Sequence, residues 1–154
     1  MDVDNPARAS YDAAMRTEVV LALAAMLLLA CSESRSPDNL SVHLFLDQDS
    51  ASVRDTLSGT IRIRNGTLKR VTVRSPHLAE GELYFYDELG NIDLRWPAAA
   101  PQVVHEWRLE PLCHRDYVFR LLPSQSWQAG TYRVHAHPAG HLTPYDEKIL
   151  VLTD

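Results

Sequence analysis

The chain has 154 residues, a formal net charge of −5, and 45% hydrophobic residues. That length suits one domain and is short for two. The acid excess argues against a nucleic-acid binder, whose surface would concentrate positive charge, and two cysteines exclude a disulfide scaffold.

The first element in chain order is an apolar run. Residues 1 to 14 carry Asp2, Asp4, Asp12 and a single Arg8, an acidic prelude to Met15-Arg16-Thr17-Glu18, where translation is expected to start. Val19 to Ala30 (VVLALAAMLLLA) then runs 12 residues without a polar side chain and meets Cys31. A spanning helix needs about 20 apolar residues, so this run has the length of the apolar region of a signal peptide.

Leu28-Leu29-Ala30-Cys31 resembles the lipobox of bacterial lipoproteins. The resemblance implies that residues 1–30 are a signal peptide, that Cys31 carries covalent lipid, and that the protein faces the periplasm from a membrane of the cell envelope. The same resemblance implies that Ser32 after the cysteine would favour the outer membrane over the inner one. No cofactor beyond that lipid is expected. Ser32 to Asn39, rich in Ser and charge, reads as part of a flexible tether over residues 31–39. With Cys31 lipidated, Cys113 has no intrachain partner and reads as a small buried apolar side chain.

Residues 40–154 form the folded domain. Val42, Leu44 and Leu46 alternate with His43 and Phe45, the period of a strand. A polar loop from Asp47 to Asp55 follows; its Asp47, Asp49 and Asp55 lack the glycine and bidentate glutamate of a calcium loop and read as turn residues. Leu57, Gly59, Ile61 and Ile63 share one face of the clearest strand. Asn65-Gly66-Thr67 predicts a tight hairpin leading to Val71 and Val73. Glu82 to Tyr86, the turn Asp87 to Asn91, and Ile92 to Trp96 predict a second hairpin. Pro97 to Pro101 is a loop, and Val103 to Leu109, Tyr117 to Leu122, Thr131 to His137 and Lys148 to Leu152 complete the strands. The pattern predicts an all-β, antiparallel sandwich of seven to nine strands.

Gln128-Ala129-Gly130-Thr131-Tyr132-Arg133-Val134 resembles the strand entrance of immunoglobulin-like domains, with Val134 where their cysteine would sit. Tyr132 is placed to close a tyrosine corner. With LSGTIRIRNGT, LYFYDELGNIDLRW and the Leu109 to Pro111 turn, the span from Leu57 to His137 resembles the Ig-like family of bacterial intracellular proteinase inhibitors. It departs from that family at Leu112-Cys113-His114-Arg115, where a Gly-Glu turn would stand. The resemblance implies an Ig-like sandwich and assigns no inhibitory residue.

Three sets of side chains are candidates for binding. Arg62, Arg64, Lys69, Arg70 and Arg74 gather on the hairpin predicted around Asn65, where they would blunt a sheet edge or contact anionic head groups. His135, His137 and His141 have spacing open to zinc or copper, although Arg133 on the same strand face would repel a cation. Trp96, Trp107 and Trp127 read as packing residues. No hydrolase, metalloprotease or phosphate-loop motif is present, and no catalytic residue is assigned. The expectation is a membrane-anchored, non-catalytic binding or structural module whose partner is another envelope protein. The alternatives are a protease inhibitor presenting Pro97 to Pro101, and a metal-handling lipoprotein using the histidine strand.

Overall fold

The computed structural model describes residues 33–34, 39–97, 103–123 and 127–154. The apolar run and Cys31 lie outside them. The domain is all-β, with eleven strands and no α-helix among the described residues. In chain order these are β1 (Glu33–Ser34), β2 (Leu40–Leu46), β3 (Ser50–Ser52), β4 (Leu57–Asn65), β5 (Arg70–Ser75) and β6 (Gly81–Tyr86). They continue as β7 (Ile92–Trp96), β8 (His105–Leu109), β9 (His114–Leu121), β10 (Gly130–Pro138) and β11 (Asp146–Thr153). The excess over seven to nine comes from β1 and β3, of two and three residues. Such pieces are too short to carry a period-two pattern.

The strands form a five-stranded sheet, β3-β11-β10-β6-β7, and two three-stranded sheets, β2-β4-β9 and β1-β5-β8. Alternation decides which side chains face inward. Leu57, Gly59, Ile61, Ile63 and Asn65 of β4 are buried, while Ser58, Thr60, Arg62 and Arg64 between them are not. Leu44, Ile61, Phe119, Val71 and Trp107 from the three-stranded sheets meet Leu83, Phe85, Val134 and Leu150 from the larger sheet in one core. That is the two-layer packing of a sandwich. The tyrosine corner is present: the Tyr132 hydroxyl donates to the Gln128 carbonyl at 3.1 Å. Trp107 is buried and its indole N–H donates to Ser75 Oγ at 2.8 Å.

The hairpin expected at Asn65-Gly66-Thr67 is absent. β4 pairs with β2 and β9, and β5 pairs with β1 and β8. Because Arg64 lies opposite His114 and Val71 opposite Leu109, β4 and β5 follow one another along the return path of β8 and β9. Between them residues 66–69 and 110–113 form a paired kink, closed by Leu112 N–H to Thr67 O at 3.1 Å and Asn65 N–H to Cys113 O at 2.9 Å. Asn65 is fully buried there. Its Nδ2 donates to Lys69 O, Leu109 O and Glu110 O, and its Oδ1 accepts from Thr67 N and Oγ1. An Asn-Gly pair that reads as a turn thus holds two strands end to end.

Cys113 is exposed, not buried. It follows Leu112, which has a φ of 58°, so the chain leaves the Glu110–Cys113 turn with the thiol directed to solvent. Within the stretch read as a tether, Glu33 and Ser34 pair in parallel with Arg70 and Val71.

Candidate functional site

The densest polar arrangement surrounds the start of β6, where the segments 76–80 and 139–145 meet the five-stranded sheet. Glu82 on β6 is 1% exposed, a placement that a carboxylate tolerates only when paired. Its Oε1 accepts from His77 Nε2 and from Arg95 Nη2 at 2.6 Å. Its Oε2 accepts from the Tyr84 hydroxyl at 3.0 Å and the Gly140 N–H at 3.3 Å. The β6–β7 hairpin places these groups: Tyr84 lies opposite Arg95, whose guanidinium stands 5.3 Å from the Tyr84 ring centroid. Burial alone would raise the Glu82 pKa, but His77, Arg95, Gly140 and Tyr84 outweigh it and hold the carboxyl below its ordinary value.

Glu80 organises a second cluster toward the opposite layer. It accepts from Arg115 Nη1 at 2.8 and 2.9 Å and from the Tyr117 hydroxyl, and it lies 3.3 Å from His105 Nε2. Burial first, and the Glu80 carboxylate second, push the Tyr117 hydroxyl well above its usual pKa. The Glu80 backbone carbonyl also accepts from Ala139 N–H at 2.9 Å. Two glutamates, two residues apart, therefore fasten the 76–80 segment to both layers and to the 139–145 segment.

Of the three histidines singled out by sequence, the structure brings two together. The His135 and His137 rings lie 5.9 Å apart on β10. His135 contacts Glu147 Oε2 at 2.6 Å and stacks on Tyr145 at 4.8 Å. His137 is buried, edge-on to Tyr84 at 5.4 Å, with Nδ1 on the Leu142 carbonyl at 3.0 Å and no hydrogen-bond partner at Nε2 among the described residues. Burial, and then the nearby His135, hold the His137 pKa below its ordinary value. His141 is turned elsewhere, with Nε2 on the Arg74 carbonyl at 3.0 Å. Among the described residues no group of three or more His, Cys, Asp and Glu converges as a metal site.

The basic set is spread along β4, the kink and β5. Arg62 makes a bidentate contact with Asp116 at 2.7 Å, Arg70 lies 2.9 Å from Glu110, and Arg74 lies 3.6 Å from Glu106. Acids on β8 and β9, or just between them, thus offset three of the five charges. No acidic partner is found for Arg64 or Lys69 among the described residues. Asp47 accepts from Ser58 Oγ and Asp55 from the Ser52 N–H, each closing its own local structure. Of the Pro97 to Pro101 loop only Pro97 is among the described residues.

The Glu80 and Glu82 clusters escaped the sequence reading. Glu82 stands in phase with Tyr84 and Tyr86, as an outward residue would, and it is enclosed by His77, Arg95 and Gly140, which the fold brings over it. The one usable cue was the hairpin register, which sets Arg95 beside this end of β6. An open depression of about 410 Å³ lies next to the clusters, bordered by Arg74, Ser75, Pro76, Val104 and Gly140.

No protein-family model matches the sequence, and no curated protein matches it. Among solved structures the chain is similar to a β-glucosidase from Erythrobacter marinus, with a TM-score of 0.49 and 16% identity over 74% of this chain and 15% of that one. A β-glucosidase from Listeria innocua gives 0.48 and 11% over 75% and 16%. The sporulation control protein Spo0M from Bacillus subtilis gives 0.49 and 10% over 75% and 50%. The chain therefore spans about one sixth of the glucosidases and half of the sporulation protein.

Proposed function

We propose that the protein is an exported lipoprotein, held by lipid on Cys31 at a membrane of the cell envelope. Its β-sandwich faces the periplasm, from the outer membrane in preference to the inner one, and serves as a non-catalytic binding and structural module. The observation that carries this reading is Leu28-Leu29-Ala30-Cys31 closing a 12-residue apolar run a short distance before the first strands. Several acyl chains on one residue suffice for stable anchoring, where a single chain gives only reversible binding. The engagement of Glu80 and Glu82 with the protein's own side chains supports a structural use of its polar clusters.

The test is metabolic labelling of the full chain with an alkyne fatty acid in a bacterial host. Label is expected on the wild type and lost in Cys31→Ala, which should also leave the membrane fraction. Equal labelling of both forms overturns the reading. Cross-linking in cells followed by mass spectrometry then identifies the envelope partner.

A further inference from the structure

Two strands show where the N-terminal segment enters the domain. Leu40, the first residue of β2, lies opposite Asn65, and Glu33 of β1 lies beside Arg70. Both positions flank the kink formed by residues 66–69 and 110–113. Cys31 precedes Glu33 by two residues, a reach of at most about 7 Å of chain. Even counted from Leu40, the reach is only about 30 Å. A lipid on Cys31 would therefore be joined to the domain at the kink, within tether reach of this face.

The kink itself is apolar at its tips. Leu68 is 60% exposed and Leu112 is 53% exposed, and the Leu112 N–H to Thr67 O bond joins the two segments that carry them. Other side chains, such as Val118 and Leu142, are at least as exposed. Two features set this pair apart: its position at the entry of the tethering segment, and its backbone. Leu112 has a φ of 58°, a left-handed conformation that glycine adopts freely and a leucine adopts only under strain. A bulky apolar side chain stands exposed at a position where its absence would relax the chain. Backbone strain of this kind concentrates at functional positions. Arg64 and Lys69, both exposed and lacking an acidic partner among the described residues, flank the two leucines. Leucines at loop tips with flanking cations suit an anionic bilayer, where the apolar groups enter the acyl boundary and the cations meet head groups.

We propose that the Leu68–Leu112 knob, with Arg64 and Lys69, is a membrane-contact surface that seats the domain on an anionic lipid bilayer beside its anchor. This rests on the lipoprotein reading above, and the two are separable by experiment.

The full-length lipidated protein is reconstituted into vesicles of phosphatidylethanolamine and phosphatidylglycerol. Cys113, the remaining thiol and exposed next to Leu112, is labelled with an environment-sensitive fluorophore. Contact predicts blue-shifted emission that is quenched by lipids carrying a nitroxide on the acyl chain. In the Leu68→Ser/Leu112→Gly variant that quenching should fall at least about twofold while the protein still co-floats with the vesicles. The Gly substitution relaxes the strained backbone, so the variant is expected to fold; an unchanged urea midpoint or a higher one checks this. A label at Arg120→Cys in a Cys113→Ser background, seven residues further along the chain near the far end of β9, should remain in water.

A co-floating protein whose Cys113 label stays in water overturns the contact and leaves the anchor standing. Equal quenching at positions 113 and 120, or quenching unaffected by the double variant, also overturns it. A protein that fails to co-float, or that takes up two labels per chain, overturns both readings.

Discussion

The Arg95 guanidinium donates to the Glu82 carboxylate at 2.6 Å, joining an edge strand to a carboxylate that is itself out of solvent. Arg95 is 46% exposed on its side chain and Glu82 only 2%, so the pair is asymmetric. Loss of the arginine lets water reach one side of the site, whereas loss of the charge on Glu82 leaves His77, Arg95, Tyr84 and Gly140 donating to a group that no longer attracts them. Glu82→Gln keeps the shape and should lower stability by about 3 kcal/mol, the range for breaking a buried ionic network at one member. Arg95→Met should cost less. Urea unfolding of the two variants checks this; an equal loss in both would place the dominant interaction elsewhere.

Stability should also fall in two stages with acid. The folded-state pKa of His137 lies below 6.5, because burial and then His135 disfavour its charge. Protonation therefore favours the unfolded chain, and this contribution is complete above pH 6.5 and lost as the pH falls through the lower folded value. Glu82 has a folded pKa below 4.5, so its contribution is complete above that value and is lost further into acid. Thermal melts of the wild type should slope downward below pH 6.5 and again below pH 4.5. His137→Asn keeps a donor for the Leu142 carbonyl and removes the titration. Its melting temperature should change less between pH 6.5 and 5 than that of the wild type. Parallel profiles for the two proteins would contradict this assignment.

The sequence made the strands legible and the junctions less so. β7 matches the expected Ile92 to Trp96, and Tyr132 closes the corner that its spacing suggests. Both depend on neighbours within a few residues, which a local pattern records. Asn65-Gly66 carries the same local signature as a hairpin, and the chain uses it differently because its partners, Leu109, Glu110 and Cys113, lie more than forty residues away. The exposure of Cys113 has a related cause. Composition favours a buried thiol, and the left-handed turn at Leu112 decides otherwise. Glu82 was illegible because the groups that enclose it, His77, Arg95 and Gly140, come from three separate segments that only the fold brings together. The basic set was legible as a list of charges; what alternation along β4 and β5 could not supply was Asp116, Glu110 and Glu106 on the returning strands.

Asn65 gives the sharpest test of the kink. Its side chain makes five hydrogen bonds from a fully buried position. Asn65→Ala would leave three carbonyls and one backbone N–H without these partners, at about 1–3 kcal/mol for each group that water cannot reach. Because Lys69 and Thr67 lie near the surface, the expected total is about 3 kcal/mol. Asn65→Asp keeps the acceptor for Thr67, turns a charge toward the three carbonyls, and should be no better tolerated. A loss under 1 kcal/mol in the alanine variant would show that the kink is held by its backbone bonds alone.

Leu112 should respond in the opposite sense. The left-handed conformation carries about 1–2 kcal/mol of penalty for a residue with a side chain. Glycine removes that penalty but adds about 0.5–1 kcal/mol of unfolded-state freedom. Leu112→Gly should therefore stabilise the domain, by about 0.5–1 kcal/mol, read as a higher urea midpoint at unchanged slope. Leu112→Ala keeps the strained backbone and should give no gain. Stabilisation by alanine equal to that by glycine would trace the effect to the exposed side chain and not to the backbone.

Gly59 closes the set, because the core depends on its lack of a side chain. It lies opposite Phe119 in the β4–β9 pair, and Phe119 is 1% exposed. A Cβ at Gly59 would stand 2.3 Å from the Phe45 carbonyl oxygen and 2.7 Å from Phe119 Cζ. The ring could swing away, but the carbonyl belongs to β2, which pairs with β4 at Leu46 opposite Gly59. The backbone of one strand would have to move relative to the other. Gly59→Ala should therefore destabilise by about 2–3 kcal/mol, the upper part of the range for overpacking, although alanine suits a strand better than glycine does. Phe119→Leu should recover part of that loss by freeing the ring contact and leaving the carbonyl clash. Full recovery would show that the ring alone sets the requirement for glycine, and no recovery would assign it to the Phe45 carbonyl.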